Sequence, residues 1–163
     1  MGIAALVFDL DGTLVDSAED IAEAINRSLE ELSLSRVSEA TVRSWIGEGV
    51  RRLVAIALAH AGSARAADEV MPLFMRHYHD CLLRSPRLYD GVADALRQLQ
   101  ARGLPMAICT NKPSALVPPL LAHLVLRAHR RWRHAAAAQA VARAGTACGE
   151  AARPRAGAVP DGR

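Results

Sequence analysis

Several residue types are scarce in this sequence. Aromatic residues make up only 4% of it, so aliphatic side chains and alanine must fill any core. No uncharged run approaches the roughly 20 apolar residues that a membrane-spanning helix needs, and the first eight residues lack the basic start and long apolar run of a secretory signal. The three cysteines are odd in number and widely spaced, which favours neither a disulfide framework nor a paired-cysteine metal site. These absences predict a cytoplasmic protein without a membrane partner.

Lysine and acidic residues are unevenly distributed. Lys112 is the only lysine, and no acidic residue occurs between Asp94 and Glu150. Residues 125–163 carry eight arginines against two acidic residues, whereas the remainder of the chain is mildly acidic. An arginine-rich tail can bind nucleic acid. Trp132 is the only aromatic residue there that could stack on a base, however, so we predict no nucleic-acid partner.

What the sequence does contain is an alternation typical of an α/β fold. Residues 3–10 and 105–109 are short apolar runs suited to buried parallel strands. Between them lies a helical block, residues 16–84, with apolar residues at helical spacing. The order of strand, helical block, helix, strand and helix predicts an incomplete doubly wound parallel sheet with an inserted helical cap.

Serine and glycine residues mark the ends of the predicted helices. Ser17 and Ser38 are placed as N-caps of the first two helices of the block, and Ser114 as the N-cap of a helix that runs to Leu124. Four helices are predicted within the block. Another helix is predicted to start after Asp90 and Gly91 and to end at Gly103.

Two carboxylates follow the first strand. In an extended segment, residues two apart point to the same side, so Asp9 and Asp11 can both face a ligand beyond the strand end. Gly12 would relieve crowding in the turn and let backbone N–H groups approach an anion. One carboxylate could attack phosphorus while the other handles a proton, and such a close pair favours Mg²⁺. The alternative for two carboxylates alone is an acidic turn or a helix cap.

The longer string FDLDGTLVDS, residues 8–17, resembles the first signature of the haloacid dehalogenase superfamily. The resemblance implies that Asp9 is a nucleophile that becomes an aspartyl-phosphate and that Asp11 is the general acid and base. It also implies that Asp9 and the backbone carbonyl of Asp11 bind Mg²⁺.

The second strand leads into a second motif. Residues 108–112, ICTNK, look like the second signature of that superfamily. A hydroxyl at a strand end can donate a hydrogen bond to a phosphoryl oxygen, so the resemblance gives Thr110 a catalytic role. Asn111 and Lys112 are then candidates for substrate binding.

The helical block resembles the cap that some members of the superfamily insert after the first signature. Residues 45–53, WIGEGVRRL, are similar to the cap segment of phosphoglycolate phosphatases. Gly47 and Gly49 would then allow close backbone approach, and Arg51 or Arg52 would lie near a substrate carboxylate. The alternative is an exposed helix start with solvated arginines. The implied substrate is a small phosphorylated metabolite, 2-phosphoglycolate, although sugar-phosphate phosphatases and phosphoglucomutases share much of the pattern.

The resemblance stops after about Leu124. It divides the chain into a partial core (residues 1–15 and 85–124), the helical cap and a non-family tail, residues 125–163, which we expect to be out of frame or disordered. A later Lys-Pro pair and a later acidic pair, both implied by the superfamily, are absent. We therefore expect impaired activity or a non-catalytic remnant.

The coding DNA tests the expectation that the tail is out of frame. With suitable codons, residues 125–140 read one base later give FFAHIVGGDTLPQRK followed by Pro, which resembles the continuation of the superfamily. Sequencing the gene across the codons for residues 120–140 should show an extra or missing base relative to the expected frame, with codons that permit this reading. Codons that cannot be read in this way contradict the hypothesis.

Overall fold

The computed structural model of the chain describes residues 5–128. Residues 129–163, and with them most of the predicted tail, lie outside the described residues. The elements, in chain order, are β1 (Leu6–Phe8), β2 (Val15–Asp16), α1 (Ala18–Glu31), α2 (Glu39–Arg43), α3 (Val50–His60), α4 (Ala67–Cys81), β3 (Arg87–Leu88), α5 (Val92–Ala101), β4 (Met106–Ile108), a 3-10 turn (Ser114–Leu116) and α6 (Val117–Ala128).

Strands β1 and β4 pair in parallel, with Phe8 opposite Ile108. The regular elements between β2 and β3 are all helices, so the chain leaves the sheet, builds the helical block and returns through α5. This arrangement confirms the predicted α/β class. Because the two strands are parallel, their carboxyl ends meet at one edge of the sheet.

The prediction of buried strands is wrong in degree. β1 and β4 are partly exposed, and the side chain of Val7 is 64% exposed. Only these two strands pair in this sheet within residues 5–128, and α5 has no buried residue. The strands therefore lack neighbours over one part of their surface, which leaves apolar side chains in contact with solvent.

The hydrophobic core lies mainly in the helical block. Helices α1 and α4 form its largest contact, with Ile25 on the first helix and Phe74 and Tyr78 on the second almost fully buried. The aromatic rings of Phe74 and Tyr78 are 5.3 Å apart between centroids, a distance typical of packed aromatic pairs. Two aromatic residues thus fill the space that aliphatic side chains alone would have to fill.

Strands β2 and β3 form the connection between the helical block and the rest of the chain. They pair antiparallel, which sets Asp16 opposite Arg87. The carboxylate of Asp16 accepts hydrogen bonds at 2.7 Å from both Arg43 and Arg87. Burial alone would raise the pKa of Asp16, but the bonds from Arg43, from the Ala18 backbone and from Arg87 outweigh it and lower the pKa. The junction is therefore tied together by a charged carboxylate with two guanidinium partners.

The predicted N-caps have different outcomes. The Ser38 hydroxyl accepts a bond from the Thr41 N–H at 3.1 Å, which confirms it as a cap. Ser17 stands at the start of α1 but makes no capping bond; its hydroxyl donates instead to Asp11 at 2.6 Å. A charged acceptor forms the stronger hydrogen bond, so the prediction for Ser17 as a side-chain cap is wrong.

The helix predicted from Ser114 begins later than expected. A 3-10 turn occupies Ser114–Leu116, and α6 follows from Val117. Pro118 and Pro119 lie in the first turn of α6, where a missing N–H costs no intrahelical bond. No helix within residues 5–128 is both long enough and apolar enough to cross a membrane.

Asn26 provides a test of this packing. Its buried side chain donates to the Val37 carbonyl at 2.9 Å and accepts from the Val37 N–H at 2.7 Å, which fastens the segment after α1 to that helix. Asn26→Ala leaves two buried backbone groups unpaired and should lower the free energy of unfolding by about 3 kcal/mol. Urea unfolding measures the change.

The matched control is Asn111→Ala, since Asn111 is exposed and should lose less than about 1 kcal/mol. Equal losses for the two variants would contradict the role assigned to Asn26.

Candidate active site

The parallel pairing of β1 and β4 builds the site. The Cys109 N–H donates to the Phe8 carbonyl at 2.8 Å, which extends the ladder to the last residues of both strands. Asp9 and Asp11 follow one strand and Thr110 follows the other, so all three leave the sheet at the same edge. The structure thus brings together the three residues predicted to be catalytic.

Asp9 lies at the exposed tip of β1. Its Oδ1 accepts a hydrogen bond from the Leu10 N–H at 2.7 Å, which orients the carboxylate. Gly12 has a φ of +82°, the left-handed region that glycine tolerates best. Its N–H donates to the Val15 carbonyl at 2.9 Å, so Gly12 shapes the turn. The approach of backbone N–H groups of this turn to an anion stays a prediction.

The carboxylate of Asp11 is surrounded by donors. Lys112 Nζ lies 3.0 Å from its Oδ1 and 3.1 Å from its Oδ2, and the Ser17 hydroxyl donates to Oδ1. Thr110 lies next to this cluster, where its Oγ1 accepts from the Lys112 N–H at 3.2 Å. The two carboxylates after β1 therefore differ in environment: Asp9 faces solvent, and Asp11 is ion-paired.

Lys112 is a buried lysine whose side chain is only 1% exposed. Besides Asp11, its ammonium contacts the hydroxyl of Tyr78 on α4. Burial lowers the pKa of Lys112, and the charge of Asp11 acts in the opposite direction. Burial, followed by the charges of Asp11 and Asp20, raises the pKa of Tyr78 well above its ordinary value. The phenol therefore stays neutral beside the ammonium.

Two clefts open at this edge of the sheet, of about 390 and 530 Å³. Both are lined by Asp9, Asp11, Ile46 and Gly47, so each lies between the strand ends and the helical block. The first cleft is also lined by Thr110, Asn111 and Lys112. The second cleft is also lined by Gly12.

Asn111 connects the strand ends to the loop before α3. Its Nδ2 donates to the Gly47 carbonyl at 2.9 Å. Gly49 has a φ of +87°, and a Cβ there would come within 3.6 Å of Asn111. The close backbone approach is therefore at Gly49, since a Cβ at Gly47 would meet no atom within 4 Å. The predicted substrate-binding role of Gly47 stays a prediction.

Arg51 is not brought to the site. Its side chain is 73% exposed and its guanidinium makes two 2.7 Å bonds to Asp68 at the start of α4. Neither cleft is lined by Arg51. The alternative weighed for this segment, a helix start with solvated arginines, describes Arg51 better than a substrate contact does, because α3 turns this residue away from the strand ends.

Sequence reasoning missed several residues that line the clefts. Helical spacing within residues 16–84 does not single out Tyr78, and the sequence marks Ser17 only as an N-cap. Arg43, which lines the second cleft, was not singled out. Helical spacing places a residue on the inner face of a helix, but it contains no signal for which residue of another segment that face will meet.

The residues present fit Mg²⁺ with few protein ligands. Mg²⁺ is usually held by one or two carboxylates with waters and substrate phosphate oxygens. Asp9 would supply a carboxylate and Asp11, as the resemblance implies, its backbone carbonyl, because the Asp11 carboxylate is bonded to Lys112 and Ser17. No cluster of three histidine, cysteine or acidic side chains that could hold a metal occurs within residues 5–128, and these residues would provide only a small part of the metal shell.

Asp20 is a buried carboxylate whose charge acts on the pKa of both Lys112 and Tyr78. Its Oδ1 accepts from the Ser85 N–H at 2.9 Å, while Oδ2 has no hydrogen-bond partner among the described residues. Burial raises the pKa of Asp20 to about 6 in spite of the bond from Ser85. Asp20 is thus a titratable group in the core of the helical block.

Several known proteins are similar to this chain. The sequence profile of the haloacid dehalogenase-like hydrolases matches residues 3–150, which extends beyond the predicted limit near Leu124. A phosphoglycolate phosphatase of Colwellia psychrerythraea is 42% identical over 127 residues, which cover 73% of this chain and 55% of that protein. One from Pseudomonas syringae is 41% identical over 135 residues, 78% of this chain and 48% of that protein.

A solved structure extends the similarity to three dimensions. A predicted phosphoglycolate phosphatase from Haemophilus somnus superposes with a TM-score of 0.66 at 36% identity, covering 75% of this chain and 57% of that one. The chain spans about half the length of the curated relatives it matches.

Asp20→Asn tests the buried carboxyl group. Because the pKa of Asp20 is raised in the folded state, its contribution to stability is complete below the unfolded-state pKa of 3.8 and is lost as the pH rises through about 6. Asn does not titrate, so the variant should gain up to about 3 kcal/mol relative to the wild type between about pH 4 and pH 7. Urea unfolding at the two pH values measures this difference.

Asp90→Asn, at an exposed carboxylate, is the matched control and should show no such gain. A stability difference between Asp20→Asn and the wild type that does not change with pH would contradict the prediction.

Proposed function

The chain belongs to the haloacid dehalogenase-like hydrolase family, and on that premise we propose that it is a phosphomonoester hydrolase acting through an aspartyl-phosphate on Asp9. The observation that carries the proposal is the pairing of β1 with β4, which sets Asp9, Asp11 and Thr110 at one edge beside a cleft. This arrangement combines a nucleophile, a proton carrier and a hydrogen-bond donor.

In the first step, an Asp9 oxygen attacks phosphorus and the bond to the ester oxygen breaks. The exposure of Asp9 suits this role, because the nucleophile must reach the substrate. Asp11 enters this step protonated and gives its proton to the leaving alcohol. The carboxylate that results is the form that accepts hydrogen bonds from Lys112 and Ser17. Thr110 and Asn111, both lining the first cleft, donate hydrogen bonds to the transferring phosphoryl oxygens.

In the second step, water attacks phosphorus and the bond to Asp9 breaks. Asp11 accepts the proton of the water, so phosphate leaves, Asp9 is again a carboxylate and Asp11 is again protonated. The Asp11 carboxylate is held by Lys112 and Ser17. Such donors keep its oxygens in one orientation, which is the requirement for repeated proton transfer in a fixed direction.

Mg²⁺ is part of the proposal. Asp9 and Asp11 would hold it, and the ion would neutralise charge on the phosphoryl group during transfer. Lys112 also brings positive charge to this edge, but it is committed to Asp11. The exposed carboxylate of Asp9 has no such cationic partner among the described residues.

The substrate that we propose is 2-phosphoglycolate. Support comes from the relatives at 41–42% identity, which are named phosphoglycolate phosphatases. The helical block would act as a cap, since Ile46 and Gly47 border both clefts opposite the strand ends. A cap in this position excludes water from the reacting group and limits the size of the substrate. We propose the cytoplasm as its location, which the odd number and wide spacing of the cysteines support.

Activity of this chain is proposed to be impaired. The resemblance implies a Lys-Pro pair and an acidic pair at a strand end after the second motif. The sequence beyond Lys112 contains neither pair. Loss of one charge-stabilising group commonly costs 10²–10³-fold in kcat, and two such losses would bring the chain close to a non-catalytic remnant.

Asp9→Asn tests the nucleophile. We expect the wild-type chain to release phosphate from 2-phosphoglycolate with Mg²⁺ at a rate at least about 100-fold below that of the Colwellia relative. Asp9→Asn should remove that release and saturable Mg²⁺ binding, because an amide is a poor nucleophile and carries no charge. Phosphate release and isothermal titration with Mg²⁺ are the measurements.

Asp80→Asn, an exposed carboxylate on α4, makes the same chemical change elsewhere and should leave both readouts unaltered. Turnover equal to that of the relative contradicts the impairment. A wild-type chain that neither binds Mg²⁺ nor releases phosphate contradicts the enzyme and favours the remnant.

A further inference from the structure

The single lysine of the chain makes a contact that joins the helical block to the strand ends. Lys112 follows β4, and its ammonium reaches both oxygens of Asp11 after β1. The same ammonium contacts the hydroxyl of Tyr78, which comes from α4. Three segments that are far apart in sequence therefore meet at one nitrogen atom.

We propose that Tyr78 is a positioning residue: its hydroxyl holds the Lys112 ammonium on the Asp11 carboxylate, so that the helical block determines the geometry of the proton-transferring group. The inference rests on the proposed function for its effect on rate. It rests on the contacts alone for the arrangement of the three side chains.

The Lys112 ammonium has one more N–H donor than the Asp11 carboxylate has oxygens, which explains why it needs the Tyr78 hydroxyl as a further acceptor. An ammonium group has three N–H donors and no acceptor. Two of them are satisfied by Asp11 Oδ1 and Oδ2, and the Tyr78 hydroxyl accepts the third. A buried donor without a partner is costly, and Lys112 is buried. The three acceptors together leave the ammonium one orientation.

The Tyr78 ring is itself held in place. It is 1% exposed, and it packs against Phe74 one turn earlier on α4. Lys112 Nζ lies 4.7 Å from the centroid of the Tyr78 ring, within the range of a cation–π contact. Helix α4 in turn packs on α1. The hydroxyl is therefore presented by a rigid part of the helical block.

The composition of the chain permits a direct test in the unaltered protein. Because it has one lysine and two tyrosines, selective isotope labelling of both residue types gives NMR spectra with a single lysine side chain. We expect a nuclear Overhauser effect between the Lys112 Cε protons and the ring protons of one tyrosine. We also expect a lysine N–H signal that exchanges slowly with water. Absence of both in the folded chain overturns the proposal.

Tyr78→Phe identifies the group responsible. It preserves the ring and removes the hydroxyl, and we expect it to abolish the slowly exchanging lysine N–H signal. kcat should fall about tenfold with KM nearly unchanged, the effect of losing one hydrogen bond to a charged group. Tyr89→Phe, the same change at the other tyrosine, should leave the lysine signal unaltered. Circular dichroism and urea unfolding establish that each variant is folded.

The outcomes separate this inference from the proposed function. A lysine signal in Tyr78→Phe identical to that of the wild type overturns the positioning role, whatever the activity. Loss of the signal with unchanged kcat overturns its effect on rate. If Asp9→Asn leaves phosphate release unaltered, the proposed function fails, while the NMR result still decides whether Tyr78 holds Lys112.

Discussion

The parallel pairing of β1 with β4 is the constraint on which the site depends. It aligns Phe8 with Ile108, so the residues that follow each strand emerge side by side although about a hundred residues separate them in the chain. Without that alignment Asp11 and Lys112 would be two isolated charges, each costly to bury. With it, they form a buried pair whose attraction offsets part of the loss of hydration.

Buried charge is handled in two different ways near this edge. The ammonium of Lys112 has acceptors for all of its donors, from Asp11 and Tyr78. Asp20 has one oxygen bonded to the Ser85 N–H and another without a hydrogen-bond partner among the described residues, and its pKa is raised by burial. The first group is held in one orientation, and the second gains stability by binding a proton.

The helical block and the two-stranded sheet differ in how well their apolar side chains are packed. The helical block has a well-packed interior built by α1, α3 and α4, and it is tied to the strands by Asp16 with Arg43 and Arg87. The sheet has two strands at the site and an exposed Val7. The residues that position the candidate site belong to the better-packed helical block and to the two strand ends.

The α/β class, the helices of the block and the cluster of Asp9, Asp11 and Thr110 could be predicted from the sequence, because strand and helix periodicity and the strand-end motifs are local properties. The tertiary structure alone decided the surroundings of each side chain. It turned the Ser17 hydroxyl to Asp11, paired Arg51 with Asp68, and set Tyr78 on Lys112. Such contacts join segments remote in sequence, and which of them form depends on how whole elements pack, which local periodicity does not specify.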